Sequence, residues 1–198
     1  VDLFVYSRDA AGTEALRDDV DLLEEHWSYM DRFAASMIAR GPTFGADRET
    51  VTGSLHVLGL PSLDAVHEFV AREPNNRAGV YREHSVWRFE NLLRRTMWEF
   101  PGASDEPKFL IIGQSDDNPE TAARSRPVPP ESLSPELREQ LIVYGALGTL
   151  DDAALVGVAV AVQARDRQAV ESLLEQGRAG LTAFPSIEIH DWEFGGRR

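Results

Sequence analysis

The chain is written twice. The run Ala65-Val66-His67-Glu68 leading to Arg77-Ala78-Gly79 matches Ala169-Val170-Glu171 leading to Arg178-Ala179-Gly180, with two residues fewer before the second exit. Ahead of each run lies a Gly-punctuated hydrophobic segment, Arg40-Gly41-Pro42 in one half and Gly145-Ala146-Leu147-Gly148 in the other, and then a strand-like stretch. After each comes an alternating segment that ends near a tryptophan, Trp87 or Trp192. Solenoid repeats recur every ~20–50 residues, so self-similarity at half the chain length means a duplicated domain. Chance likeness between two short helices is the rival explanation.

A duplication of 198 residues gives halves close to the size at which a core is barely sufficient, and packing the halves together relieves that shortage. In the first half, Val1 to Ser7 alternates as a strand, and Gly12 breaks it before a long helix begins near Glu14. Leu16, Val20, Leu23, Trp27, Met30 and Phe33 form that helix's apolar stripe. Gly41-Pro42 stops or bends the next strand, and Thr52 to Val57 pairs with Met37 to Arg40. Ser62 caps a helix from Leu63 to Arg72, which Glu73-Pro74 ends, because a residue before proline is pushed out of the helical region. Arg82 to Phe89 adds a fourth strand, and Glu90 to Phe100 an amphipathic connector. The second half reads as a strand from Lys108 to Gly113, a proline-rich stretch from Ser115 to Pro135, a helix from Pro135 to Tyr144, a strand from Ala153 to Val162, a helix from Arg167 to Gln176 and a strand from Ser186 to Phe194.

The pattern predicts an α+β fold, two ferredoxin-like β-α-β-β-α-β repeats packed as an intrachain pseudo-dimer of the α+β barrel type. The repeats span residues 1–100 and 108–198, with 101–107 as linker. Each four-stranded sheet has one face bare of helices, and the two bare faces are expected to cover one another, as an open barrel or as a stacked pair.

Composition narrows the partners. A net charge of −13, with Lys108 the sole lysine, excludes nucleic acid and anionic membrane surfaces, which need clustered cations. No apolar run reaches the ~18 residues of a membrane span. The first residues enter a strand pattern without the basic start of a signal peptide, and the chain has no cysteine. A cytoplasmic protein acting on a small molecule is the expectation, with pairing of two fused chains left open.

Residues 2–90 resemble the YCII-related family of small ferredoxin-like proteins in the dimeric α+β barrel group. The likeness rests on Arg17 and His26 in the first helix, Gly41-Pro42, Thr52-Gly53-Ser54, Glu73-Pro74 and Ala78-Gly79-Val80-Tyr81. The resemblance implies a histidine–aspartate centre in which the acid comes from an Asp-Pro pair. Here that position is Glu73, which keeps the charge on a longer arm.

The residues themselves suggest how such a centre would work. His26 titrates near neutrality and can take and return a proton, and its neighbours Leu23 and Met30 turn one side of the helix to the sheet. Glu73 could orient its imidazole and stabilise the imidazolium. Ser54 is a donor to a substrate carbonyl, and Arg17, two and a half turns from His26 on one continuous helix, binds a substrate carboxylate or closes a salt bridge. Asn75, Asn76 and Arg77 lie beside Glu73 in a loop that can aim polar groups at a ligand, and Trp27, Tyr29, Tyr81 and Trp87 are either pocket aromatics or core. A Ser-His-Glu nucleophilic triad lacks a nucleophile elbow. His56, His67, His84 and His190 show no metal-ligand spacing, so no metal and no cofactor is expected. The second half puts Pro130 or Glu131 near the place of His26 and lacks the Glu73-Pro74 pair. It reads as a scaffold that closes the site or shapes its mouth, with Ser115 to Pro135 as lid or linker. The expected activity is a cofactor-independent elimination, dehydration or isomerisation of a small cyclic or aromatic metabolite. A non-catalytic binding protein and a cofactor-free oxygenase of an activated aromatic are the rivals.

Overall fold

In a computed structural model, which describes residues 1–102, 105–116, 126–176 and 184–196, eight antiparallel strands close into one barrel. The N-terminal half runs β1 (Asp2–Asp9), α1 (Glu14–Arg17), α2 (Val20–Asp31), β2 (Met37–Phe44), β3 (Val51–Gly59), α3 (Leu63–Arg72), α4 (Pro74–Arg77) and β4 (Tyr81–Asn91). The C-terminal half runs β5 (Lys108–Gln114), α5 (Pro135–Gln140), β6 (Leu141–Gly148), β7 (Leu155–Gln163), α6 (Arg167–Glu175) and β8 (Ser186–Trp192). Strand order within the halves is the same, β2-β3-β1-β4 and β6-β7-β5-β8, the ferredoxin-like arrangement.

The halves meet edge to edge, β2 on β8 and β4 on β6. A stacked pair would leave four strand edges with unpaired backbone groups, and closure removes all of them. The seams are unequal. The β4–β6 seam holds four residue pairs, Arg88↔Gly148 to Asn91↔Gly145, whereas β2–β8 holds Thr43↔Trp192 and Phe44↔Asp191.

Period-two alternation divides each strand between two cores. Inside the barrel Phe4, Tyr6, Leu55, Val57, Leu110, Ile112, Ala159 and Trp192 interdigitate. On the outer faces, Leu3, Val5 and Leu58 pack under α2 and α3 with Met30, Val66 and Phe69. Ile111, Val158, Val160 and Val162 pack with Leu137 of α5 and Val170 of α6.

Three expectations change. The helix expected from Glu14 is two helices, because Asp19 leaves the helical region (φ −69°, ψ 113°) and its side chain accepts from the Leu22 amide at 2.9 Å. Gly41-Pro42 does not stop β2; Pro42 sits opposite Ser54 beside the sparsely paired seam, where a missing N–H costs little. The helix expected over 135–144 ends at Gln140, and Leu141 to Gly148 is a strand, a buried apolar run paired on both sides by β7 and β4. The repeat's second exit at Arg178-Ala179-Gly180 and the middle of the 115–135 segment lie outside the described residues. Among the described residues no helix is long and apolar enough to cross a membrane.

Candidate active site

On the outer face of the N-terminal half sheet, α2, β2, β3 and the segment after β8 enclose a cavity of about 390 Å³. His26 reaches it from α2, Arg17 from α1, and Ser54 and His56 from β3. Ser54 and His56 are two apart on one strand and so share a face, while Leu55 and Val57 turn into the barrel.

Glu73 owes its position to two helices. It has extended backbone (φ −61°, ψ 125°), ends α3 and caps α4, where its Oε2 accepts from the Asn76 amide at 2.7 Å. The other oxygen, Oε1, lies 2.5 Å from His26 Nδ1. The longer glutamate arm therefore spans both partners, and the positive end of α4 favours a carboxylate there. The pair is shielded, with 12% of the His26 side chain and 4% of Glu73 exposed. With Nδ1–H held by the carboxylate, Nε2 is the basic nitrogen, and among the described residues it has no protein partner.

Because the chain breaks at Asp18-Asp19, Arg17 turns onto the same cavity as His26 instead of lying elsewhere on one long helix. Its guanidinium forks onto Asp9 of β1, Nε to Oδ2 at 2.8 Å and Nη2 to Oδ1 at 2.6 Å, and Nη2 also donates to Ser54 Oγ at 3.2 Å. Burial opposes its charge, but Asp9 and Tyr81 more than offset that and raise its pKa. Tyr81 lies behind it, ring centroid 5.2 Å from Arg17 Cζ, and burial pushes its phenol up to about 12. Tyr81 is thus a neutral donor and acceptor at physiological pH.

Asn76 and Arg77 lie on the short helix α4 and do not line the cavity. Asn76 donates to the Val70 carbonyl at 3.0 Å and meets His84 Nε2 at 2.8 Å, while His84 Nδ1 meets Ser7 Oγ at 2.9 Å. That network fixes α4, and with it Glu73, against β1 and β4. Arg77 is exposed in a shallow groove beside Glu25 and Arg32. Of the aromatics, Trp27 lines the cavity, whereas Tyr29 is core and donates to the Phe69 carbonyl.

Sequence reasoning missed His56, Arg40 and the C-terminal segment. His56 is 3% exposed, its ring centroid is 5.7 Å from that of His26, and burial together with His26 and the two arginines holds its pKa well below the usual histidine range. A neutral imidazole therefore floors the cavity. The sign of it in the sequence is Ser54 and His56 as two polar residues on one face of an apolar strand. One wall is formed by Phe194, Gly195 and Gly196, held to β2 by Glu193 N to Pro42 O at 3.2 Å and Gly195 N to Arg40 O at 2.9 Å. The second half thus walls the site of the first. Among the described residues no three His, Asp or Glu side chains gather as a metal-ligand set.

Among the described residues the C-terminal half has no such site on its own face. Gly41↔Leu55 and Gly145↔Ala159 occupy equivalent rungs, so Ser54, His56 and Arg40 correspond to Val158, Val160 and Tyr144, all buried in an apolar cluster.

Comparison with known proteins follows the same division, since residues 3–90 match the model of the YCII-related domain. The N-terminal half is a YCII-related domain. No curated protein matches the chain. Among solved structures, a 5-chloro-2-hydroxyhydroquinone dehydrochlorinase from Burkholderia phenoliruptrix AC1100, in complex with 2,5-dihydroxybenzoquinone, is 28% identical over 46% of this chain and 95% of its own, with a TM-score of 0.42. Two monooxygenase-like proteins match almost end to end. One, from Lactobacillus acidophilus NCFM, is 7% identical with a TM-score of 0.54, covering 98% of this chain and 97% of its own. The other, from Fusobacterium nucleatum, is 9% identical with a TM-score of 0.52, covering 98% and 91%. These two show that the whole chain, YCII-related half and partner half together, has the dimeric α+β barrel fold within one polypeptide.

Proposed function

We propose that the chain is an enzyme that removes a proton from carbon next to a carbonyl of a small cyclic or aromatic metabolite, leading to elimination, dehydration or isomerisation. The observation that carries this reading is the 2.5 Å contact between His26 Nδ1 and buried Glu73, which leaves Nε2 without a protein partner among the described residues on a side chain that lines a 390 Å³ cavity. Glu73 fixes the tautomer and stabilises the imidazolium after the proton is taken, and no cofactor is needed for that step. As the C–H bond breaks, charge moves to the carbonyl oxygen. Arg17, Ser54 and neutral His56 supply donors for it, and such donors are worth about 3 kcal/mol each in the transition state. The imidazolium can then return its proton to a leaving hydroxide or to another carbon. Leu23, Trp27, Met30 and Phe194 give the cavity the apolar walls that suit a ring.

A panel of cyclic β-hydroxy ketones and β-halo ketones, followed by the absorbance of the conjugated enone, tests this. His26→Ala should lower kcat about 10²–10⁴-fold with KM little changed. Turnover insensitive to His26 would remove that residue from the chemistry, a tight ligand with no turnover at all would identify a binding module instead, and stoichiometric oxygen uptake a cofactor-free oxygenase.

A further inference from the structure

One rung on the outer face of the first half sheet is polar across three strands. Ser7 of β1 stands opposite both Ser54 of β3 and His84 of β4, on the same face as the core residues Leu3 and Val5. The second half has the same rung in an apolar form. There Gly113 stands opposite Val158 and Ile187, so Ser54, Ser7 and His84 correspond to Val158, Gly113 and Ile187. The barrel closes with either version, and the polar one belongs to the half that carries the His26–Glu73 pair.

Ser54 lines the cavity and His84 does not, yet the bonds of His84 lead to it. Asn76 Nδ2 donates to the Val70 carbonyl at 3.0 Å, and because a carbonyl can only accept, that contact settles which end of the amide is nitrogen. Oδ1 therefore faces His84. It too can only accept, so His84 Nε2, 2.8 Å away, carries a proton. Burial holds this ring below the usual histidine range despite Glu73, which makes it neutral, and Nδ1 accepts from the Ser7 hydroxyl at 2.9 Å. The residue thus held is the one whose backbone amide donates to Glu73 Oε2 at 2.7 Å, while Oε1 meets His26 Nδ1 at 2.5 Å. A planar carboxylate moves as one body. Displacing the Asn76 amide turns Oε1 away from the imidazole.

We propose that His84 is a positioning residue for the His26–Glu73 pair, acting through Asn76 on the carboxylate that orients the imidazole. Its importance for turnover rests on the reading of His26 as the base, but the geometry of the pair can be measured without any substrate.

NMR of the full chain labelled with ¹⁵N-histidine reads both rings. In the parent, His84 should be protonated on Nε2, and His26 Nδ1–H should resonate well downfield of the amides. His84→Leu, which approximates the apolar rung of the second half, should shift or broaden the His26 resonance and lower kcat about 10–10²-fold with KM little changed. His84→Gln, whose amide nitrogen can reach Asn76 Oδ1, should restore both. His84→Asn, too short to reach it, should not. Any one of three results overturns the proposal: a parent His84 with no proton on Nε2, a His26 resonance unchanged in His84→Leu, or His84→Asn restoring it as well as His84→Gln. The first is read without a variant, so a His84→Leu chain that fails to fold does not shelter the idea. A parent that turns over no ketone of the panel, with a His26 resonance that still responds to His84→Leu and recovers in His84→Gln, supports the positioning and refutes the proton-removal reading instead.

Discussion

Glu73 carries two jobs on one carboxylate, a helix cap and the orientation of His26, and they can be separated. Glu73→Gln keeps an oxygen for the Asn76 amide but removes the charge that stabilises the imidazolium. The expected result is a loss of kcat of about 10²–10⁴-fold with Tm close to the parent's, read by steady-state kinetics beside thermal unfolding. Glu73→Asp, one methylene shorter, cannot span both contacts and should lose either activity or about 1 kcal/mol of stability. At this scale the sequence was legible where chemistry and local signal coincide. Glu73-Pro74 announces both the helix end and the carboxylate, and His26 sits among residues that face the sheet. His56 was harder to read, because its one local sign, a polar face shared with Ser54 on an apolar strand, does not tell a histidine that floors a cavity from one satisfied in a core.

The short elements decide what the cavity contains. Asp19 restarts the helix and thereby sends Arg17 toward Asp9 and Ser54, so Asp19→Ala should cost about 1 kcal/mol in chemical denaturation and raise KM through a misplaced Arg17. Gly41 is a second such point. A Cβ there would lie 1.8 Å from the Glu193 carbonyl oxygen, a clash with backbone that cannot yield without moving the closing segment. Gly41→Ala should therefore detach Phe194 to Gly196, raising KM more than it lowers kcat, with new protease sensitivity after Trp192. Periodicity foretold seven of the eight strands and the helices α3 and α6, because each has its own apolar face. It read Leu141 to Tyr144 as helix, since a short apolar run has no period of its own and only pairing with β7 makes it a strand.

At the scale of the molecule, folding buries histidines as neutral groups. His56, His84 and His190 all have folded pKa values below 6.5, each mainly through burial. The unfolded chain takes up protons at these sites first as pH falls, so their contribution is present above about pH 6.5 and is lost on acidification through that value, at up to about 1.4 kcal/mol per pH unit for each fully affected group. Thermal unfolding between about pH 7.5 and 5.5 should show a falling Tm, and His56→Phe, if it folds, should flatten the curve. The duplication, the α+β class, the ferredoxin-like order and the histidine-bearing half follow from the chain itself, because repeats, periodicity and caps are local properties that each segment carries unaided. Barrel rather than stacked sheets, and which residues of the second half wall the His26 cavity, are decided by tertiary structure. Each depends on how strand edges far apart in sequence satisfy one another's hydrogen bonds, and no window of sequence contains both edges.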